Sequence, residues 1–200
     1  MVSPENRKAV EQAGAGFLGF IFYPKSKRYI GNLEEISKQL LFDTQLPKVG
    51  VIVNEEFKTV IDLASKHGLN YIQLHGSESP EFCQKVKEAG FKVIKVFGVG
   101  EDFNFKKAEP YTGIADFFLF DTKAITHGGT GRKFNWALLE NYKCSTPFFL
   151  SGGIRPEDAN QIKSISHPKL YGIDLNSGFE EKPGLKNTAL LKQFINEIKV

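Results

Sequence analysis

Seven short apolar runs recur along this chain, each followed by a segment long enough for a helix. They are FLGFIFY (17–23), KVGVIVN (48–54), YIQLHG (71–76), KVIKVFGV (92–99), DFFLFDT (116–122), PFFLSGGI (147–154) and YGIDLNSG (171–178). Runs of this length bounded by glycine or polar residues read as strands buried on both faces, hence as a parallel sheet. Repeats of about 25–30 residues argue for consecutive βα units. The helices have their own signals. Ser3 with Pro4 and Glu5 opens the first, which runs to about Gly14. Asn32 caps a second over 33–41, and others are expected at 55–67, within 79–90, in 101–109, from near Asn135, in RPEDANQIKSI and at 187–198.

The expected fold is α/β, a (β/α)8 TIM barrel with seven strands and eight helices in one domain spanning 1–200. The count is uneven because the chain opens on a helix, and the remaining strand is expected ahead of Ser3. A doubly wound open sheet is the competing architecture. Against it stand the lack of an early glycine fingerprint and the glycine turns that come late. Gly152 and Gly153 end the sixth run; Asn176, Ser177 and Gly178 end the seventh. Backbone N–H groups at such turns converge on one anion, and barrels of this kind build a phosphate cradle after their last two strands. Two tight turns with no ligand are the plainer alternative.

Composition narrows the class further. With 41% hydrophobic and 24% charged residues, this is an ordinary globular chain. A net charge of +3 suits an anionic small molecule and is too small to argue for nucleic acid. Cys83 and Cys144 give neither a disulfide framework nor a metal spacing, and the four histidines form no ligand pair. No run approaches the ~18 apolar residues of a membrane span, and no secretory signal pattern opens the chain. The expectation is a cytoplasmic protein with no metal or cofactor and no membrane partner, as a monomer or homodimer.

In a barrel the reactive face is the ring of strand carboxyl ends. The polar residues there are Arg28, Asn54, His75, Asp121 and the two glycine turns. Asp121 suits a general acid if burial raises its pKa, or else a turn residue. Gly128, Gly129 and Gly131 in HGGTGRKFNW suit a lid over a ligand. Arg28 offers a planar fork for a carboxylate or phosphate, or is simply solvated. His75 either polarises a ligand or bonds a neighbouring loop. Lys95 lies inside its strand, as a Schiff-base lysine or, more simply, a paired polar plug. Cys83 reads as a packing residue within a helix, and Cys144 precedes the strand PFFLSGGI, away from the chemistry.

The segments GFIFYPKSKRYI, VGVIVNEE, IQLHG, FDTK with HGGTGRKFNW, FLSGGIRPEDA and DLNSGFEEKPGLKN, in this order, resemble the phosphoribosylanthranilate isomerase family of tryptophan biosynthesis along the whole chain. The resemblance implies an Amadori rearrangement of N-(5-phosphoribosyl)anthranilate to the corresponding 1-deoxyribulose phosphate. It implies Asp121 as the general acid, Arg28 on the anthranilate carboxylate, and Gly152, Gly153, Ser177 and Gly178 on the phosphate. His75 and Asp174 complete the candidate substrate contacts. The family's general base is a cysteine on a first strand, in a motif K-[VI]-C-G-M or similar directly before the segment that here reads VSPEN. Met1 falls just after that Cys-Gly pair, so strand count and motif point to the same gap. The chain as written is therefore expected to fold poorly and turn over little. The competing functions are another phosphosugar barrel enzyme, such as a Lys95 aldolase, and a phosphosugar-binding remnant without catalysis.

Overall fold

A computed structural model describes residues 2–31, 41, 43–123 and 133–199. The seven apolar runs form seven strands: β1 (Leu18–Ile21), β2 (Lys48–Ile52), β3 (Tyr71–Leu74), β4 (Lys92–Val99), β5 (Phe117–Thr122), β6 (Phe148–Leu150) and β7 (Leu170–Ile173). They pair in sequence order, every pair parallel. Each crossover thus steps the same way around the sheet. A doubly wound sheet must reverse direction at a switch point, so that alternative is excluded.

The sheet curls into a barrel wall. Alternate residues face alternate sides of a strand, and the core divides accordingly. Val49, Tyr71, Ile94, Val96, Phe117, Leu119 and Phe149 form an inner cluster, while Leu74, Val93, Phe118, Phe120 and Phe148 belong to the larger core beneath the helices. Phe17, just ahead of β1, packs edge-on against Phe149 at 5.5 Å and Tyr171 at 6.2 Å between ring centroids. The first and last strands are therefore brought round to face one another, although they are not hydrogen-bonded neighbours among the described residues.

Helix starts follow the local chemistry. The Ser3 hydroxyl accepts from the Asn6 N–H to cap α1 (Pro4–Gln12), and Ser79 accepts from Phe82 to cap α3 (Pro80–Glu88), with α2 (Phe57–Lys66) between them. Farther on lie α4 (Ala159–Lys163) and α5 (Thr188–Ile198), the latter capped by Asn187. Two expected α-helices are instead 3-10 helices, Phe105–Tyr111 and Trp136–Asn141. Pro110 lies inside the first and has no N–H to donate to an α-helical ladder. The helix expected at 33–41 falls outside the described residues except for Leu41, which is helical and buried.

A hairpin of β8 (Glu180–Lys182) and β9 (Leu185–Lys186) follows the last turn, an element the sequence reading did not anticipate. Gly184 sits at φ +84 in its bend, a conformation glycine takes without strain. The Asn6 amide clamps β9 from both sides, donating to the Lys186 carbonyl and accepting from its N–H, each at 2.8 Å.

Candidate active site

The inward-facing register that buries Phe117 and Leu119 carries Asp121 to the same side at the carboxyl end of β5. The same alternation runs from Tyr71 through Gln73 to His75, and from Phe149 to Ser151. These side chains meet at the mouth of the barrel. His75 Nε2 lies 3.6 Å from Asp121 Oδ2, and the Gln73 Oε1 is 3.2 Å from His75 Nδ1. The Ser151 hydroxyl donates to Asp174 Oδ2 at 3.0 Å.

The Asp121 carboxyl is shifted toward its protonated form. Removal from water, reinforced by the negative charge of Asp174, pushes its carboxyl up to about 6, against a smaller opposing effect from the Thr122 N–H it accepts. A carboxyl at that value is partly protonated near neutral pH and suits a general acid. His75 is shifted the other way. Partial removal of its ring from water lowers its pKa, and Lys95 adds to this, outweighing the opposing pull of Asp174 and Glu78. The imidazole is therefore neutral at pH 7.

The two glycine turns lie against this carboxylate. Gly152 and Gly153 have φ of +94 and +66, values that disfavour any residue with a Cβ. A Cβ on Gly152 would collide with the Thr122 N–H and hydroxyl and stand 2.8 Å from Asp121 Oδ1. One on Gly178 would strike the Ile154 carbonyl oxygen. The turn after β7 thus packs directly on the chain leaving the turn after β6. Small residues here let two backbone segments and the acid share one corner of the mouth.

Arg28, in the loop after β1, makes a two-pronged ion pair with Glu180. Its Nε lies 2.9 Å from Oε1 and Oε2, and Nη2 lies 2.6 Å from Oε2. The solvated-charge alternative is thereby overturned. Glu180, Lys186 and the hairpin that carries them are the site residues that sequence reasoning missed. The Pro183-Gly184 pair inside FEEKPGLK is a turn signal that could have disclosed the hairpin.

Lys95 is the paired plug rather than a Schiff-base lysine, but it does not face inward. Its neighbours Ile94 and Val96 point into the barrel, so Lys95 points out toward the helices. There it is 3% exposed and donates to Glu78 Oε2 at 2.7 Å, the Gly76 carbonyl at 2.8 Å and the Leu74 carbonyl at 3.2 Å. Glu78 accepts from the N–H groups of Asn54 and Gly76 at 2.8 and 2.9 Å. The pair stitches together the loops after β2 and β3 and so fixes the base of His75. It is a paired plug, turned away from the mouth.

Neither cysteine reaches the mouth. Cys83 is buried on α3, its thiol pushed up to about 11 by removal from water, and Cys144 precedes β6. Gly128, Gly129 and Gly131 of the expected lid lie outside the described residues. The chain re-entering at Lys133 is anchored, Phe134 N–H donating to the Thr122 hydroxyl at 3.1 Å and Lys133 pairing with Asp158. Among the described residues no three His, Cys, Asp or Glu side chains gather as a metal set, and no helix is long and apolar enough to cross a membrane.

A curled parallel sheet with an elevated-pKa carboxyl beside late glycine turns defines a (β/α)-barrel enzyme. Comparison with known proteins narrows this. Residues 2–197 match the family described as PRAI: N-(5'phosphoribosyl)anthranilate (PRA) isomerase. The chain is 45% identical over 199 residues to the N-(5'-phosphoribosyl)anthranilate isomerase of Phocaeicola vulgatus, covering 100% of this chain and 95% of that protein. A crystal structure of monomers generated from the dimeric enzyme of Thermotoga maritima superposes with a TM-score of 0.83 at 32% identity, covering 100% of this chain and 95% of that one. Another solved structure, phosphoribosyl anthranilate isomerase in complex with reduced 1-(o-carboxyphenylamino)-1-deoxyribulose 5-phosphate, gives 0.82 at 33% identity over the same shares. The chain belongs to the N-(5'-phosphoribosyl)anthranilate isomerase family.

Proposed function

We propose that this protein catalyses the Amadori rearrangement of N-(5-phosphoribosyl)anthranilate to 1-(2-carboxyphenylamino)-1-deoxyribulose 5-phosphate, an isomerase step of tryptophan biosynthesis. The observation that carries the residue assignment is Asp121, a carboxyl at about 6 on the inner face of β5 with the Gly152 turn against it.

In this reading the phosphate sits on the backbone of Gly152, Gly153, Ser177 and Gly178, and Arg28 meets the ring carboxylate. Asp121 donates its proton to the ribose ring oxygen. The C1–O bond breaks, the anilino nitrogen's lone pair forms the C1=N bond, and the open-chain iminium results. Loss of the C2 proton gives an enol that tautomerises to the ketone. His75, neutral and beside Asp121, hydrogen-bonds substrate without competing for that proton. Asp174, fixed by Ser151, keeps negative charge near Asp121 and holds its pKa up. The acceptor of the C2 proton is assigned by family resemblance to a cysteine on a strand ahead of VSPEN.

The test follows the fluorescence of the phosphoribosyl anthranilate formed in situ, in the chain preceded by a Cys-Gly-ending strand and in the chain alone. Enzyme-dependent loss of signal with formation of the ketose phosphate supports the assignment. Tight binding of the reduced product analogue without turnover in a soluble extended protein would favour the non-catalytic remnant.

A further inference from the structure

The Arg28–Glu180 pair is built more elaborately than a surface ion pair. Glu180 is 4% exposed in its side chain and Arg28 23%. Besides Arg28, Glu180 Oε1 accepts from Lys186 Nζ at 3.1 Å and from the Gly184 N–H at 3.2 Å. Lys186 Nζ donates onward to the Leu175 carbonyl at 3.1 Å and to Asn176 Oδ1 at 3.0 Å. Asn176 opens the turn that holds Ser177 and Gly178. Arg28, Glu180, Lys186 and Asn176 thus form one continuous chain of charge-assisted contacts between the loop after β1 and the turn after β7.

Burial alone would raise the Glu180 carboxyl, but Arg28 and Lys186 outweigh it and hold it below the ordinary range. The carboxylate is therefore charged at neutral pH. A buried ion pair is weak support for stability, since apolar packing of similar volume often does as well. What it does supply is orientation. Glu180 engages the Nε–Nη2 edge of the guanidinium and so fixes its plane. Nη1 takes no part in that contact, which leaves the Nη1–Nη2 edge as the geometry able to meet a second carboxylate in parallel.

We propose that Glu180, braced by Lys186 from the hairpin, is the positioning residue of the carboxylate clamp: it sets the plane of Arg28 and thereby selects ligands whose anilino ring carries an ortho-carboxylate. The inference rests on the reading of Arg28 as the carboxylate contact. A flexible arginine would still attract a carboxylate, but it would spend binding free energy on ordering its own rotamers. The hairpin that sequence reasoning missed is the element that spares that cost.

The test is titration calorimetry at pH 7 with two ligands: reduced 1-(o-carboxyphenylamino)-1-deoxyribulose 5-phosphate, and the same compound without its ring carboxylate. The measured quantity is the ratio of their affinities. In Glu180→Gln the ratio is expected to fall about tenfold, with the carboxyl-free compound binding as it does to the unaltered protein. Glu180→Asp, which keeps the charge one methylene farther back, should lower the ratio by a smaller factor, and it supplies the reading should Glu180→Gln fail to fold. Arg28→Ala separates the two levels of the argument. A ratio unchanged in Arg28→Ala defeats the carboxylate reading of Arg28 and the proposal with it. A ratio lost in Arg28→Ala but preserved in the Glu180 variants defeats the proposal alone. Tighter binding of the carboxylated compound to Glu180→Gln would mark Glu180 as a competitor for Arg28 and equally overturn it.

Discussion

His75 Nε2 and Asp121 Oδ2 stand 3.6 Å apart at the mouth of the barrel, one lowered in pKa and the other raised to about 6. Both shifts favour the uncharged form of the group. The first prediction concerns Asp121. If it acts as the acid, turnover requires it protonated, so kcat/KM in the extended enzyme falls as pH rises through about 6. Stability moves the same way. The folded pKa lies above the unfolded value of 3.8, so Asp121 lowers stability progressively from about pH 4 to pH 6 and by a constant amount above. Asp121→Asn should therefore stabilise the fold by about 1–3 kcal/mol at pH 7 relative to pH 3, read by urea unfolding at the two pH values.

Gly178→Ala places a methyl against the Ile154 carbonyl, and Gly152→Ala does so against Thr122 at a positive φ. Each should cost about 1–3 kcal/mol of stability and weaken inorganic phosphate binding at least several-fold. Equal phosphate affinity in a folded Gly178→Ala protein would mean that the turn does not hold phosphate.

Lys95→Ala leaves the Glu78 carboxylate buried without its cation. The expected loss is about 3–5 kcal/mol, visible in chemical denaturation. Lys95→Met with Glu78→Gln should recover much of it. Borohydride with an aldehyde substrate should trap no adduct at Lys95, because that side chain faces the helices; a trapped adduct would reinstate the aldolase alternative.

Among the described residues β1 and β7 are not hydrogen-bonded to each other, and the outer edge of β1 is bridged at Ile21 by Tyr29. A strand ending in Cys-Gly, joined ahead of VSPEN, should dock alongside β7. A docked strand buries further apolar area and adds ladder hydrogen bonds, so the extended protein should unfold at higher denaturant than the chain alone. Identical midpoints would count against docking there.

The barrel wall was legible because each strand is a short apolar run with a glycine or polar end, and the periodic spacing of those runs carries the parallel order. Asp121, His75 and the glycine turns were legible as strand-end residues for the same reason. What the sequence concealed was set by pairing across the chain. Arg28 meets Glu180 across 152 positions, and no local pattern at KSKR signals a buried acceptor. Lys95 misled because a long apolar run shows no period and so does not disclose which face a residue takes; its direction follows only from Ile94 and Val96 packing inward. Phe105–Tyr111 is a 3-10 helix where the helix-length spacing predicts an α-helix, because Pro110 inside it has no N–H for an α-helical ladder.

The most direct test is the rate of ketose phosphate formation by the cysteine-extended enzyme with Asp121 intact and with Asp121→Asn, at pH 6 and saturating phosphoribosyl anthranilate. Loss of a general acid predicts a fall of about 10²–10⁴-fold in kcat, with the reduced product analogue still bound. Undiminished turnover by Asp121→Asn would contradict the account.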